Sequence, residues 1–260
     1  MTNTSPSLST GRIALVTGGS RGLGRDMALQ LARGGHDLII TYRAKQVEAA
    51  AVCAEITALG RRAIALPLEV GSTAGFPAFA KTVAAALTQH WGRTTFDALV
   101  NNAGIGSKAP FATTSEAQFD ELMNVHLKGV FLLTQTLLPQ LAENGRIVCI
   151  STGLTRFTSP GYAAYATMKG GIEVLVKYLA KELGPRRITV NVVAPGAIET
   201  DFTKDGFDSH PEVRGFLAAN TALGRIGQPT DIGGVVAFLC SPAGAWVTAQ
   251  RLEASGGMFV

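Results

Sequence analysis

Charge, sulfur and long apolar runs are all scarce in this chain. Only 16% of its 260 residues are Asp, Glu, Lys or Arg, against 47% hydrophobic, so a sizeable core is available. Basic residues are scattered, with adjacent pairs only at Arg61-Arg62 and Arg186-Arg187. That excludes a basic nucleic-acid stripe, while a formal net charge of +4 suits an anionic ligand. Cysteines number three (Cys53, Cys149, Cys240), each in an apolar run. An odd number without close spacing argues against a disulfide framework and fits a reducing compartment. His36, His90, His126 and His210 show no metal-site spacing, so no metal is expected. No apolar run reaches the ~18 residues of a membrane span. Met1 to Thr10 is polar, lacks the charged start and apolar centre of a signal peptide, and reads as a disordered tail. The expectation is a soluble cytoplasmic protein with no membrane or nucleic-acid partner.

What is present is a regular alternation. Short apolar runs at 13–17, 37–42, 63–68, 96–101, 146–151 and 188–193 read as buried parallel strands. Helical runs fall between them at about 25–33, 45–59, 73–91, 116–142 (as one helix or two pieces) and 162–183. One more helix follows at 231–239, after Pro229-Thr230, and a last short strand lies near 250–254. The stretch 196–227 carries little pattern. Strand–helix alternation predicts an α/β fold: one domain over 11–260, Rossmann-type and doubly wound, with helices on both faces of a parallel sheet. Ligands of such sheets bind beyond the carboxyl ends of the strands, where the strand order reverses.

Gly18, Gly22 and Gly24 stand between the first strand and its helix, in G-x-x-x-G-x-G spacing. Glycine lets the backbone turn sharply and come close to a ligand. The helix N-terminus offers unpaired N–H groups and a positive dipole end, which suits a pyrophosphate. A free ribose 2′-hydroxyl calls for a carboxylate at the end of the second strand. That end is Thr41-Tyr42-Arg43; Asp37 is at the opposite end and Glu48 already lies in the helix. Arg43, with Arg21 from the glycine turn, fits a 2′-phosphate instead, so the cofactor expected is NADP(H).

Tyr165 and Lys169 lie four apart on a predicted helix and so share a face. An ammonium beside a phenol favours the phenolate and is expected to lower its pKa, as acid–base work near neutrality requires.

Thr17 to Gly24, Asn101-Asn102-Ala103-Gly104, Tyr165 to Lys169 and Pro195 to Thr200 follow one another in an order and spacing that resemble the short-chain dehydrogenase/reductase family. The resemblance is to its NADP(H)-preferring members, in particular 3-oxoacyl-acyl-carrier-protein reductases and related carbonyl reductases, and it covers about residues 11–257. It implies that Tyr165 protonates a carbonyl oxygen, and that Lys169 lowers its pKa and holds the nicotinamide ribose. It places a serine thirteen residues before the tyrosine, where this chain has Thr152, preceded by Ser151. Threonine keeps the donor and acceptor but stiffens χ1. Asn124 matches the helix asparagine that links the lysine to solvent through water; His126 reads as structural. Gly18, Ser20, Arg21, Gly22, Leu23 and Gly24 would form the pyrophosphate turn, with Arg43 at the 2′-phosphate. Glu69-Val70 would meet the adenine, where the family usually has Asp-Val. Asn101, Ala103 and Gly104 would line the adenosine side. Pro195, Gly196, Ile198 and Thr200 would frame the nicotinamide. The implied activity is hydride transfer between NADP(H) and a small-molecule carbonyl or alcohol. The substrate loop would be 196–227, with Phe202, Phe207, Phe216 and Leu217 as a partly apolar lid or as the loop's own packing. The implied assembly is a homotetramer, with a dimer as the alternative. An NADPH-binding sensor or scaffold with little turnover is the other class of reading, left open by Thr152.

Overall fold

The structure, a computed structural model, describes residues 11–200, 203 and 207–260. The expected tail at 1–10 and Phe202 of the expected lid lie outside these residues. Seven strands pair in parallel in the order β3-β2-β1-β4-β5-β6-β7. They are β1 (Ile13–Val16), β2 (Asp37–Tyr42), β3 (Ala63–Pro67), β4 (Phe96–Asn101), β5 (Leu141–Ile150), β6 (Thr189–Pro195) and β7 (Arg251–Ala254). The order reverses between β1 and β4, which puts a crevice at their carboxyl ends.

Period-two alternation in the strands divides the core into two layers. Ile13 and Leu15 face one layer and Ala14 and Val16 the other. On the first side pack α3 (Phe76–Trp91), α5 (Gly129–Leu137) and α6 (Ala163–Leu183), through Val83, Leu133, Ile172 and Val176. On the second side pack α1 (Gly22–Arg33), α2 (Gln46–Ala58) and α8 (Thr230–Cys240), through Met27, Ile56 and Val236. The fold is therefore the Rossmann-type α/β sandwich that the alternation predicts. Asp37 explains why it serves the scaffold and no ligand. It is buried at the amino end of β2, 2.8 Å from Arg61 and 3.0 Å from Arg62, and it accepts the Trp91 indole N–H at 2.8 Å.

Two boundaries differ from the sequence reading. The helix expected over 116–142 is α4 (Glu116–Met123), a π turn at Asn124–Lys128, α5, and a 3-10 turn at Leu138–Gln140. Its start is a capping box: Ser115 Oγ accepts from the Gln118 amide, and the Gln118 side chain accepts from the Ser115 amide. Its end is set by Pro139, which has no N–H to continue the ladder and disfavours helix at the residue before it. β5 accordingly begins at Leu141, paired with Phe96. Its pairing with β4 shifts register and resumes at Arg146, past Asn144 at φ 59°. The stretch 196–227 contains a further helix, α7 (Pro211–Ala219), too short and too exposed to print a strong apolar stripe. Arg214 ties it to Glu199 at 2.7 Å, and Arg225 closes on Asp231 at 2.6 Å.

Candidate active site

The glycine turn closes over the end of β1. Gly18 and Gly22 adopt φ of 66° and 54°, the left-handed region that side chains disfavour. Gly24 packs on the turn itself: a Cβ there would stand 2.1 Å from the Gly18 carbonyl oxygen. Thr17 Oγ1 accepts the amides of Asn102 and Ala103, both at 3.0 Å. Asn102 Nδ2 donates to the Thr17 carbonyl at 2.9 Å. The Gly18 amide donates to Thr41 Oγ1 at 3.1 Å, and Ser20 is buried behind the turn. Leu23 packs on the second core layer. These bonds fix the turn so that the N-terminus of α1 faces the crevice. No acidic residue stands in that first turn, so its N–H groups and dipole are left for an anion. A pyrophosphate fits this donor set.

The adenosine end is less simple. Arg43 stands 3.6 Å from Glu69, and Glu69 Oε1 accepts the Gly71 amide at 3.2 Å. Tertiary folding thus brings to Arg43 an acid that the end of β2 itself does not carry. Both side chains are well exposed, so the pair is weak and easily redirected. Arg21 acts on Glu48, whose carboxyl is held below its ordinary value by its own backbone N–H first, then by Lys45 and Arg21. Val70 turns into the first core layer, its carbonyl so close to α5 that a Cβ on Gly129 would stand 2.2 Å from it. The Asn101 amide is buried and donates to Thr134 Oγ1 at 3.0 Å, bracing β4 against α5. Asn102 is the member of that run that holds the turn.

Beyond the ends of β5 and β6 lies the second half. Ser151 Oγ donates to Glu173 at 2.7 Å, so its hydroxyl is engaged in the scaffold. Thr152 makes a side-chain hydrogen bond to Tyr165, and its carbonyl accepts from Arg251 at 3.1 Å. Lys169 is buried, donates to the Ile150 carbonyl at 2.7 Å, and lies 5.7 Å from the Tyr165 ring centroid. Burial lowers the Lys169 ammonium to about 8. The Tyr165 phenol moves opposite to expectation. Burial first, and then Tyr162, push it above its ordinary value, and the bond from Thr152 opposes this only in part. Desolvation therefore outweighs the hydrogen bond from Thr152. The phenol is protonated across the neutral range, the form a proton donor needs.

Pro195 ends β6 opposite Ala254, and the Gly196 amide donates to the Ala254 carbonyl at 3.2 Å. Ile198 is buried and bridges to Gly227. Thr200 reaches back to the glycine turn, 3.8 Å from where a Gly22 Cβ would stand. The segment after β6 thus meets the glycine turn at Thr200. Of the expected lid, Phe207 is buried under Arg214, Phe216 is exposed with its ring 6.1 Å from that of Phe259, and Leu217 is half-buried.

Asn124 lines a shallow depression of ≈ 380 Å³ with Arg43, Glu69, Asp120 and Glu121. The residue of that segment standing against the catalytic candidates is His126, 5.0 Å from the Tyr165 ring and edge-on to it. Sequence reasoning missed this because the π turn at 124–128 changes which side chains face α6; a regular helical period does not apply across it. Among the described residues, no cluster of three or more His, Cys, Asp or Glu is fit to hold a metal ion, and no helix is long and apolar enough to cross a membrane.

Comparison with known proteins fits this arrangement. A family model described as enoyl-(acyl carrier protein) reductase matches residues 18–259. An uncharacterized oxidoreductase of Methylorubrum extorquens is 39% identical over 248 residues, 95% of this chain and 98% of its own. The 3-oxoacyl-[acyl-carrier-protein] reductase of Staphylococcus aureus is 37% identical, over 95% of this chain and 98% of its own. Among solved structures, the angucycline C-6 ketoreductase LanV with bound NADP superposes with a TM-score of 0.90 at 36% identity, covering 95% of each chain.

Proposed function

The chain belongs to the short-chain dehydrogenase/reductase family of oxidoreductases, and from that premise we propose that it is an NADP(H)-dependent reductase of ketones or aldehydes. The observation that carries the proposal is the hydrogen bond between Tyr165 and the Thr152 hydroxyl, with the buried Lys169 5.7 Å from the Tyr165 ring centroid.

NADPH, when bound, supplies the hydride. Its pyrophosphate would lie on the N-terminus of α1, between Gly18 and Gly24, with the adenosine toward Arg43 and Glu69. Thr152 and Tyr165 hold the carbonyl oxygen of the substrate. As negative charge gathers on that oxygen, Tyr165 gives it the phenolic proton and Thr152 donates a hydrogen bond, so both groups stabilise the transition state more than the ground state. Lys169 then faces a phenolate, whose charge its buried ammonium offsets. The segment 196–227, with α7, would shape the substrate side. We place the enzyme in the cytoplasm, which three free thiols suit; cell fractionation checks this. We also expect a homotetramer through α4–α6 and the C-terminal segment, because Phe119, Phe131, Val174 and Tyr178 leave apolar surface exposed there. Light scattering giving a monomer would overturn that.

The test of the activity is NADPH oxidation, followed by absorbance, over a panel of ketones and aldehydes. Turnover on at least one supports the reading. Tight NADPH binding with no turnover on any favours a cofactor-binding sensor. The 2′-phosphate assignment has its own test, in binding titrations of Arg21→Ala with Arg43→Ala. Charge-assisted bonds contribute roughly 1.5–3 kcal/mol each, so NADPH binding is expected to weaken about 100-fold or more, and NADH binding hardly at all. Equal loss for both cofactors sinks the assignment.

A further inference from the structure

We infer that His126 is a positioning residue for Tyr165, an imidazole anchored to the backbone at one nitrogen and braced edge-on against the phenol ring. The inference rests on the reductase reading, because Tyr165 is the group it positions.

The anchor is Ile105. His126 Nε2 lies 2.8 Å from the Ile105 carbonyl oxygen, and a carbonyl only accepts, so Nε2 carries the proton. The Ile105 amide, at 3.3 Å from the same nitrogen, is the longer and weaker contact. On its other side the ring lies flush with the end of the Asn101–Gly104 run. A Cβ on Gly104 would stand 2.7 Å from the imidazole Cε1 and 3.4 Å from Nδ1, so only glycine there leaves room for the ring. The ring plane meets that of Tyr165 at 87°, with centroids 5.0 Å apart. Edge-to-face contact of this kind is directional, worth ~0.5–1.5 kcal/mol beyond the area it buries. The chain from Ile105 through His126 to Tyr165 thus ties the segment after β4, on the cofactor side, to the helix that carries the acid.

Two further observations separate this residue from ordinary core packing. His126 is 1% exposed, yet Nδ1 has no hydrogen-bond partner among the described residues. A buried polar atom left unpaired is costly and calls for an explanation. It also stands on the π turn, a local irregularity frequent at functional sites. Burial first, and the nearby Lys169 second, push its pKa down to about 3. The imidazole is therefore uncharged in the working range, and Lys169 remains the cation facing Tyr165. An imidazolium in its place would keep the bond to Ile105 but set a second cation beside Tyr165 in competition with Lys169.

The test compares His126→Phe with His126→Gln in the enzyme that turns over a panel substrate. Phe keeps the ring and its edge but removes both nitrogens. Gln carries an amide N–H at the reach of Nε2 and can hold the Ile105 carbonyl. A positioning role predicts that H126F loses about 10- to 100-fold in kcat, the scale of a misplacement of about 1 Å. KM for NADPH should stay within about threefold in both variants, and kcat of H126Q, which keeps the anchor and loses only the ring edge, should fall by less than about tenfold. A purely packing role predicts the reverse, with Phe tolerated and Gln destabilising. Normal kcat in H126F overturns the inference. So does a more than tenfold loss in H126Q when its melting temperature and NADPH binding are unchanged, and that arm decides even if H126F does not fold. An original enzyme with no turnover on any substrate sinks the reductase reading instead, which keeps the two failures apart.

Discussion

Tyr165→Phe lowers kcat for carbonyl reduction by about 10³-fold, while NADPH binds as before. General acid catalysis by a positioned side chain typically supplies ~10²–10⁴-fold, and this substitution removes the proton without removing the ring. Packing on His126 and Tyr162 is kept, so the fold and the cofactor cleft should be undisturbed. Stopped-flow or steady-state NADPH oxidation measures kcat, and fluorescence titration measures binding. Normal turnover in the variant would show that another group donates the proton. The pH profile of the unaltered enzyme adds a second reading of the same pair. Lys169, lowered to about 8, carries its charge below that pH and loses it above. Its charge is what offsets the phenolate left when Tyr165 gives up its proton. The kcat for reduction is therefore highest below pH 8 and falls as pH rises through it. Alcohol oxidation needs the opposite form of Tyr165, whose pKa is raised, and is expected to gain toward alkaline pH.

Gly24→Ala is expected to cost both stability and cofactor. The added Cβ would stand 2.1 Å from the Gly18 carbonyl oxygen and 2.6 Å from Asn102 Nδ2. Neither neighbour can give way alone. The carbonyl belongs to the turn whose Gly18 sits at positive φ, and Asn102 is tied to the Thr17 carbonyl. The turn must open, which spreads the N–H groups aimed at the pyrophosphate. Overpacking of this kind costs about 1–3 kcal/mol, and a chain of this size loses about 2–4 °C in Tm per kcal/mol. The expected result is a fall of roughly 2–12 °C, with NADPH affinity down at least about tenfold through lost alignment. Gly234→Ala is the control: it lies within α8 and a Cβ there meets nothing within 4 Å. The same added methyl should stabilise that helix by up to about 1 kcal/mol. A Gly24→Ala protein that melts and binds like the original would show that the turn is plastic.

Much of the fold was legible because its cues are local. Apolar runs such as Ile13–Val16 and Phe96–Asn101 are short and end at glycine or polar residues, and the helices between them keep a 3.6-residue period. β5 was misread because Pro139 ends the helix within a run that is still apolar on both sides, so composition does not mark the change. α7 was missed because an exposed nine-residue helix leaves no strong stripe. In the site, neighbours within one element were legible: Tyr165 with Lys169, and the glycines of the turn. Asn101 and Asn102 illustrate the limit. They are identical and adjacent, and only the sheet decides that one amide faces Thr134 in the core and the other the glycine turn.

By itself the sequence determined the alternation, hence the parallel sheet, and the residue types able to cradle a phosphate and move a proton. Both follow from periodicity and from spacing along one helix, which are properties of neighbouring residues. Tertiary structure alone decided the electrostatics and the company each group keeps. It raised the Tyr165 pKa and lowered that of Lys169, because burial depends on what the whole chain packs around them. It brought Glu69 to Arg43 across 26 positions and His126 to Tyr165 across 39, contacts that no local pattern encodes.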